Sequence, residues 1–530
     1  MSGRENELSV DLTRGVIQSD ILIYGATPAG IAAAIEGVRN GKTVVVIEPT
    51  MWIGGMSASG IGVADIGQRK SIGGLAKEYF DQVKKIYGST PGSLDGAAYE
   101  PHVAKKAFED MLNACAIKVV TGSRLQSVAF SQNHIKSIIT SNGSEYQAAV
   151  FVDASYEGDL MAKTGVSYTV GRESNSQYNE TLNGVGISHL MIGQKVDPYR
   201  TPGKPASGIL PHVFSTKLNP VGSEDKSVMA YNFRLCVTKN PDNAVPFTKP
   251  DNYDESEFEI LARLSELVVK SRADRVSQGI IPASLLKVPM DYYLIYAPLP
   301  NGKFDLNSAG AFSTDYVGLG ESYANGSYEK RAEIDQEIKR YMKSLLYFLK
   351  TSPRIPDYIR NEVASTGLCK DEFIDTNGWP HHLYIREGRR MIGSYVMSQN
   401  DIQGGLTVHD SIGVGSFYFD SHVTNRVVIG GYVNIEANNN TSIGQQYPIS
   451  YRVITPQKDE MDNLLVPVCI SASHAAYTSI RVEPSYMIMG QAAGAAASIA
   501  VEANTPVQDV DYSELAARLK KHNQILWPVQ

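Results

Sequence analysis

The chain has 530 residues, 43% apolar and 20% charged, which is ordinary for a globular protein and too long for one simple core. The net charge of −7 at pH 7 argues against binding to nucleic acid or to an anionic membrane surface. The four cysteines are far apart and form no Cys-x-x-Cys pair, so neither a disulfide framework nor a zinc site is indicated.

The first 18 residues are polar, and we expect them to be a loose leader. They lack the apolar core of a signal sequence, and no stretch of the chain is long and apolar enough to predict a membrane span. We therefore expect a cytoplasmic protein. The alternative is a protein whose signal sequence was removed ahead of this N-terminus.

Residues 20–56 have the order of a dinucleotide-binding unit. An apolar run, a glycine turn, an alanine-rich helix, a second apolar run and an acid follow one another at 21–24, 25–30, 31–39, 43–47 and Glu48. Gly25 permits a sharp turn and Gly30 lets the helix pack closely, so the helix start can bind a pyrophosphate. The acid can bind an adenosine ribose. Thr27 replaces the middle glycine of G-x-G-x-x-G, and the alternative is a crossover whose glycines serve packing only.

The next elements are predicted from composition and spacing. Small residues at 54–62 would let the backbone approach a large flat ligand, the alternative being an ordinary flexible loop. Apolar residues at helical spacing predict helices from Gly74 and over 102–115. Short strands are predicted at 117–120, 125–130, 135–140 and 146–153. The last strand places Asp153 and Ala154 at the carboxyl edge of the sheet, where ligands of open α/β sheets bind.

Residues 20–170 resemble the flavoproteins with two dinucleotide-binding domains. Within them, the chain is similar to the FAD-dependent oxidoreductase family of bacterial sugar-utilisation neighbourhoods. The matching pieces are GATPAGIAAAI, Glu48, WIGGM, IGGLAKEYF and DASYEGDLMAKTG. The resemblance implies FAD as the cofactor. The residues that it implies for FAD binding are Gly25, Thr27, Pro28, Ala29, Gly30, Glu48, Pro49, Gly54, Gly55, Met56, Leu125, Asp153, Ala154, Asp159, Glu483, Gly490, Ala493 and Gly494.

The resemblance also implies roles for some of these residues. Glu48 should hold the adenosine ribose, and Leu125 should offer backbone groups to the adenine. Residues 54–56 should lie along the pyrophosphate and the flavin. Asp153 should contact the ribityl or pyrophosphate region.

Residues 176–440 are predicted to be an inserted α+β substrate domain. Its segment 228–238 alternates in polarity, with Asn232 and Arg234 on the polar face. Such a face is often solvated, but the resemblance makes these two residues candidates for the substrate pocket. Amphipathic helices are predicted at 258–270 and 332–350.

The segment LYIREGRRMIG contains Tyr384, Arg386, Arg389 and Arg390 and matches the family's Tyr-x-Arg-Glu-x-Arg-Arg motif. A run of charges is often a solvated face. Apolar neighbours indicate instead that at least one arginine points inward, where it needs an anionic or carbonyl partner. We therefore predict Tyr384, Arg390 and Arg234 as catalytic-site residues.

His409, Asp410, Asp420 and His422 form a concentrated set of His and Asp residues. A metal site is disfavoured because no cysteine or further nearby histidine supports it. Oxidation by a flavin needs a base, and histidine titrates near neutral pH. His422 is the first candidate for the base and His409 the second. A histidine that only fills the core is the alternative for either.

Residues 466–500 end in a run of very small residues, GQAAGAAASIA. In the resembling flavoproteins a helix start points at the flavin pyrimidine, and we expect that helix to begin at Gly490. Arg481 and Glu483 precede it as the family's Arg-x-Glu-Pro motif. This second half-site completes an FAD domain that opens near the N-terminus.

We therefore predict an α/β protein with a Rossmann-like FAD-binding domain, split in sequence by an α+β substrate domain. The expected segments are a leader (1–18), the first section of the FAD-binding domain (19–175), the substrate domain (176–440), the second section of the FAD-binding domain (441–510) and a C-terminal segment (511–530).

The predicted reaction moves a hydride from a small polar organic substrate, preferably a sugar or polyol-like alcohol, to flavin N5. The alternatives are oxidation of an amine or amino acid, a flavin-bound protein without net redox turnover, and an enzyme that uses NAD alone. We expect a small-molecule substrate, an electron acceptor of unknown identity, no nucleic acid and no metal. The oligomeric state is open.

Overall fold

The computed structural model describes residues 15–404, 406–436 and 445–529. Its strands are β1 (Val16–Tyr24), β2 (Val44–Ile47), β3 (Val119–Val120), β4 (Leu125–Ser131), β5 (His134–Thr140), β6 (Glu145–Asp153), β7 (Tyr168–Thr169), β8 (Ser188–Leu190), β9 (Leu235–Thr238), β10 (Ala244–Pro246), β11 (Leu294–Pro298), β12 (Lys303–Ser308), β13 (Gly367–Cys369), β14 (Arg390–Met391), β15 (Ser411–Gly415), β16 (Asn425–Ile429), β17 (Tyr432–Glu436), β18 (Tyr447–Ser450) and β19 (Leu464–Leu465).

The α-helices of the same ranges are α1 (Pro28–Arg39), α2 (Gly74–Tyr87), α3 (Pro101–Ala114), α4 (Asp159–Lys163), α5 (Glu259–Ser277), α6 (Gly320–Ala324), α7 (Tyr328–Thr351), α8 (Asp357–Ala364), α9 (Gln399–Ile402), α10 (His474–Ile480), α11 (Glu483–Ala503) and α12 (Tyr512–Lys521). Residues 1–14 of the predicted leader lie outside the described residues. Residues 16–18 belong to β1, so the prediction of a leader is wrong for those three.

The main sheet has the order β3-β2-β1-β6-β5-β4, and β19 also pairs with β6. Strands β3, β2, β1, β6 and β19 are parallel, whereas β5 and β4 are antiparallel to their neighbours. The register pairs Tyr24 with Ile47 and with Asp153, so these parallel strands end side by side. The glycine turn, Glu48 and the loop after Asp153 therefore share one edge of the sheet, which is where such sheets bind ligands.

Helix α11 packs along α1 and is buried from Glu483 to Ala500. A helix that is apolar and small on every side is enclosed in this way. A Cβ at Gly490 would lie 2.1 Å from the Ala29 carbonyl oxygen, so only glycine allows the two backbones to approach this closely. The prediction that this helix begins at Gly490 is wrong, since it begins at Glu483 and Gly490 lies within it.

The inserted region contains a five-stranded antiparallel sheet in the order β10-β13-β9-β12-β11, together with the long helices α5 and α7. The regular strand predicted over 228–238 is confined to β9. Before it, Tyr231 and Asn232 make only isolated bridges to Tyr316 and Tyr384. The whole segment is buried on both faces, so its polar face is not solvated.

The other predicted elements are present, with small shifts at their ends: the nucleotide unit, the two helices after it, the strand meander and the two inserted helices. The domain boundaries stay predictions. Among the described residues, none of the helices combines the length and the apolar character needed to cross a membrane.

Candidate active site

The turn between β1 and α1 is closed by glycine packing and a helix cap. Gly25 has φ +104°, and a Cβ on Gly30 would lie 1.9 Å from the Gly25 carbonyl oxygen. Thr27 Oγ1 accepts a hydrogen bond from the Gly30 N–H at 3.2 Å and donates one to the Ala154 carbonyl at 2.8 Å. Thr27 therefore caps α1 and fastens it to the end of β6, a contact that a glycine at this position could not make.

Glu48 follows the end of β2 and joins two turns. Its carboxylate accepts hydrogen bonds from the Ala26 N–H at 2.8 Å and from the Thr50 N–H and hydroxyl at 2.8 and 2.7 Å. Burial raises the pKa of Glu48 to about 7, although these hydrogen bonds act in the opposite direction.

A cleft with a volume of about 120 Å³ opens beside this turn, with walls from both the main sheet and the inserted region. Within the described residues, Asp335 Oδ1 and His382 Nε2 are buried without a hydrogen-bond partner, and both residues line the cleft. Such atoms indicate a cleft built for a polar ligand. The lining residues are Gly25, Thr27, Glu48, Pro49, Thr50, Arg124, Ser155, Tyr156, Glu157, Asp159, Tyr323, Tyr328, Arg331, Ala332, Asp335, His381, His382, Leu383 and Ile385.

Tyr156 connects the cleft to the start of α11. Its hydroxyl accepts a hydrogen bond from the Met56 N–H at 2.9 Å and donates one to Glu483 Oε1 at 2.8 Å. A Cβ on Gly55 would lie 2.3 Å from the same hydroxyl. Burial raises the pKa of Glu483 to about 8, so this carboxyl group is mostly protonated at pH 7.

Three arginines surround Tyr384. The guanidinium groups of Arg386 and Arg234 lie 4.6 and 5.5 Å from the centre of the tyrosine ring. Arg481 Nη1 donates a hydrogen bond to the Tyr384 hydroxyl at 3.2 Å. The Tyr384 N–H in turn donates to the Asn232 carbonyl at 2.7 Å, which fastens this segment to the region before β9.

Each of these arginines also lies next to a carboxylate. Arg234 donates two hydrogen bonds to Asp305, and the Asp305 carboxylate accepts another from the Gly62 N–H at 3.1 Å. Tyr384 and the three ion pairs around it are called the Tyr384 cluster below. The pairs are Arg234–Asp305, Arg386–Asp315 and Arg481–Asp420.

His422 lies between two acids of this cluster. Its Nδ1 is 2.8 Å from Asp315 Oδ2 and its Nε2 is 3.3 Å from Asp420 Oδ2. Burial acts to raise the pKa of Asp315, but Arg386 and His422 lower it to about 2. Burial acts to raise the pKa of Asp420, but the hydrogen bond and charge of His422, together with the charges of Arg481 and Arg386, lower it.

Asp65 is a further acid beside the cluster. It lines a small cavity of about 10 Å³, which has room for about one water molecule, with Tyr384, Arg481 and Glu483. Its carboxylate forms no hydrogen bond or ion pair with any residue in the described ranges. Burial raises the pKa of Asp65, while Arg234 and Arg481 partly oppose this effect.

Comparison with known proteins decides the family. A family model described as FAD dependent oxidoreductase matches residues 20–519. This chain belongs to the FAD dependent oxidoreductase family. It is therefore an oxidoreductase that uses FAD, and the predicted α/β fold with a Rossmann-like FAD-binding domain is confirmed.

No curated protein matches the chain significantly. Among solved structures, a flavin-containing monooxygenase from Stenotrophomonas maltophilia is 16% identical over 32% of this chain and 44% of its own, with a TM-score of 0.20. L-proline dehydrogenase from P. horikoshii is 16% identical over 30% of this chain and 59% of its own, with a TM-score of 0.24. The matches thus span less than two thirds of those chains, and TM-scores of this size support no further argument.

The residues of the cleft fit FAD. A capped helix start, the acid after β2 and polar atoms without partners line one continuous cleft, as a dinucleotide requires. Pro28, Ala29 and Gly30 form the first turn of α1, directly beside it. The predicted cofactor-binding residues that line the cleft itself are Gly25, Thr27, Glu48, Pro49 and Asp159.

Leu125, predicted to offer its backbone to adenine, has partners within the protein. Its N–H donates to the Tyr24 hydroxyl at 3.1 Å, and its carbonyl accepts from the Tyr328 hydroxyl at 3.3 Å. The N–H is thereby occupied, whereas the carbonyl oxygen keeps a second lone pair, so the contact of Leu125 with adenine stays a prediction.

Asp153 shapes the loop after β6. Its carboxylate accepts hydrogen bonds from the N–H groups of Ser155 and Met161 at 3.1 and 2.8 Å. It thereby fixes the loop that carries Tyr156 and Asp159 to the cleft, and its predicted contact with the ribityl or pyrophosphate region stays a prediction.

Small residues of the predicted half-sites bring segments of the FAD-binding domain together. A Cβ on Gly54 would lie 2.8 Å from Phe108, and one on Gly494 would lie 2.3 Å from the Ala33 carbonyl oxygen. Ala493 is fully buried in the same helix as Gly494. These positions therefore serve close packing within the domain.

Gly60 has the same role between the domain and the inserted region. A Cβ on this residue would lie 1.9 Å from the Arg234 carbonyl oxygen. The absence of a side chain there lets the inserted region lie directly on the FAD-binding domain, and this contact positions the Tyr384 cluster.

Arg390 does not belong to the Tyr384 cluster. Its guanidinium donates to Glu173 at 2.6 Å and to two backbone carbonyls, and it lies 2.9 Å from Glu387. The prediction of Arg390 as a catalytic-site residue is therefore corrected, because protein groups contact each of its nitrogens. Arg386, from the same motif, is the arginine that reaches the cluster.

The predicted set of two histidines and two aspartates does not assemble into one site. His409 is exposed, and the neighbouring Asp410 accepts hydrogen bonds from Ser450 and Arg452. His409 is therefore corrected as a candidate base, because it lies at the surface.

Sequence reasoning missed three acids of the site, Asp65, Asp305 and Asp315. Asp65 follows the small-residue segment 57–62, which could have drawn attention to it. Nothing in the sequence distinguishes Asp315, which is buried, from the acids at the surface.

Proposed function

We propose that this FAD dependent oxidoreductase oxidises a small, uncharged, polyhydroxylated compound such as a sugar or polyol. Bound FAD supplies the two-electron chemistry by accepting a hydride at its N5 atom. The Tyr384 cluster binds and orients the substrate, since it presents many hydrogen-bond donors and acceptors in one buried region.

The single observation that favours a neutral substrate is that the arginines of the Tyr384 cluster are paired with carboxylates. Each arginine of the cluster already has a carboxylate partner, so none is left as an unpaired cation for a substrate carboxylate. A neutral polyol can accept hydrogen bonds from guanidinium groups and donate them to carboxylates without leaving any buried charge uncompensated. This disfavours an amino acid, whose carboxylate would lie beside Asp305, Asp315 and Asp420.

Oxidation of an amine is the second candidate, and Asp65 is the observation that favours it. An unpaired carboxylate in a cavity is suited to hold a substrate ammonium group. The cytoplasmic location stays a prediction, and the electron acceptor and the oligomeric state stay open.

An anaerobic screen tests the proposal. Holoenzyme is mixed with neutral sugars and polyols, primary amines and amino acids, and bleaching of the flavin absorbance is followed. We expect bleaching by neutral polyhydroxylated compounds. Bleaching by amines alone would select the second candidate, and no bleaching by any compound would favour a flavin-bound protein without redox turnover.

A variant pair then connects the activity to the cluster. Tyr384→Phe removes the hydroxyl that accepts from Arg481 and keeps the ring, so we expect a higher KM by about 10-fold. Arg452→Ala, which breaks an exposed ion pair with Asp410, is the control and should leave KM unchanged.

A further inference from the structure

We propose that Asp65 is the general base that takes the hydroxyl proton from the substrate, a role that rests on the proposed function. Oxidation of an alcohol carbon breaks its C–H bond and its O–H bond. The hydrogen on carbon leaves with both electrons as a hydride, which is the chemistry that FAD supplies. The proton of the hydroxyl group goes to a carboxylate oxygen of Asp65, and the carbonyl double bond forms.

The Asp65 carboxylate is available to a bound substrate. The other acids that face the cluster, Asp305, Asp315 and Asp420, each pair with an arginine. Asp65 alone among the described acids of this region has neither a hydrogen bond nor an ion pair, and it lines the cavity with Tyr384. A base must have a lone pair free to receive the proton in the bound complex.

His422, the base predicted from the sequence, is enclosed by protein groups instead. Both of its ring nitrogens face carboxylates, Nδ1 towards Asp315 and Nε2 towards Asp420. Each nitrogen therefore contacts a protein carboxylate, and His422 is not among the residues that line the cavity of Asp65 and Tyr384. We assign His422 a positioning role, in which it holds the two acids that orient Arg386 and Arg481.

The basicity of Asp65 suits proton abstraction. A carboxylate withdrawn from water beside other acids accepts a proton more readily than a solvated one, and burial raises the pKa of Asp65. Glu483, on the next wall of the cavity, is mostly protonated at pH 7 and adds little charge. The charged groups that act on Asp65 are Arg234 and Arg481, which lower its pKa, and Asp420 and Asp305, which raise it.

The experiment compares Asp65→Asn with the wild type, using the neutral compound that bleaches the wild-type flavin best in the anaerobic screen. We expect the single-turnover rate of flavin reduction to fall by about 10²–10⁴-fold. The matched control, Asp459→Asn, changes an exposed acid and should leave the rate unchanged.

A binding measurement separates a base from a residue that only holds the substrate. The dissociation constant of the same compound is measured on enzyme whose flavin has been reduced with dithionite, so that no turnover occurs. For a base, Asp65→Asn should change this constant by less than about 10-fold, since an amide still hydrogen-bonds a hydroxyl group. A loss of about 10³-fold in binding with an unchanged rate at saturation would overturn the proposal and assign Asp65 to substrate binding.

Wild-type measurements keep the proposal falsifiable if Asp65→Asn loses FAD or unfolds. The reduction rate of the wild type should rise with pH as the base loses its proton, and Asp65→Glu should shift this profile. If the wild-type rate of flavin reduction does not change across the acid and neutral pH range, the assignment of Asp65 as the base is overturned.

Failure of the base and failure of the proposed function give different results. If Asp65→Asn reduces its flavin as fast as the wild type, only the assignment of Asp65 as the general base is refuted. Slow flavin reduction in His422→Asn would then assign the base to His422. If no compound of the screen reduces the wild-type flavin, the proposed function fails and the assignment of Asp65 falls with it.

Discussion

Replacing Arg390 by methionine tests whether this arginine holds the fold or the substrate. The substitution keeps the approximate length of the side chain but removes a buried guanidinium that contacts Glu173, Glu387 and two backbone carbonyls. Arg390 and Glu387 are both fully buried. The variant therefore removes the arginine partner of two buried carboxylates, of which Glu387 keeps its contact with His474 Nδ1 at 2.8 Å.

Removing one partner of a buried ion pair costs about 3–5 kcal/mol. With a denaturant slope of about 3 kcal/mol per molar urea, this corresponds to a fall of about 1–1.7 M in the unfolding midpoint. Burial acts to raise the pKa of Glu173, but Arg390 lowers it to about 2, so this acid is charged at neutral pH and is strongly affected by the loss. Its stabilising contribution is present above the unfolded pKa of 4.5 and is lost as pH falls towards about 2.

The assay is urea unfolding of the holoenzyme at pH 7, followed by far-UV circular dichroism and by flavin fluorescence. The control is Arg452→Ala, whose ion pair with Asp410 is exposed and should be worth about 1 kcal/mol or less. Adding Glu173→Gln to the Arg390→Met variant should recover some of the loss. An Arg390→Met protein with an unchanged urea unfolding midpoint and a weakened affinity for substrate would refute this reasoning. Arg390 would then again be assigned to substrate binding.

Three further predictions concern the FAD-binding domain. Gly490→Ala should lower the melting temperature and the FAD content, because its methyl group meets the Ala29 carbonyl oxygen and separates α1 from α11; an unchanged protein would contradict the packing. Glu48→Ala should weaken FAD binding by about 10–100-fold in equilibrium dialysis, the worth of a hydrogen bond to a charged group; unchanged affinity would remove Glu48 from the ribose site. Burial raises the pKa of Glu483 from 4.5 to about 8, so the folded protein holds a proton that the unfolded chain has released, and the contribution of Glu483 to stability falls as pH rises between these values. Glu483→Gln should flatten this section of the melting-temperature profile, and parallel profiles would contradict the assignment.

The nucleotide unit could be predicted because its information is local. Gly25, Gly30 and Glu48 lie close together in sequence, and each has a backbone role that follows from its type and position. The strand pattern around them then places all three at one sheet edge. The same reasoning predicted the helix of small residues but not its start, because Pro484 and the buried Glu483 begin it two turns before the glycine.

The Tyr384 cluster could be predicted only incompletely, because the residues that pair within it are distant in sequence. Arg386 and Arg390 stand in one motif, yet Arg386 reaches Asp315 while Arg390 reaches Glu173, and no local pattern tells the two apart. Likewise, His422 was recognisable as a candidate, but its enclosure between two acids depends on a loop 107 residues earlier in the chain.

The packing of α1 against α11 has a consequence for how the chain is made. Their contact joins Ala29 and Ala33 to Gly490 and Gly494, and β19 is added to β6 at a similarly late stage. About 460 residues separate these partners, which at a synthesis rate of about 5–20 residues per second is roughly half a minute to a minute and a half. During that time the face of α1 that later packs against α11 is uncovered, and it can associate with other chains or with other segments of the same chain. Chains shortened before α11 should accordingly collect as chaperone-bound or aggregated material that never takes up the cofactor.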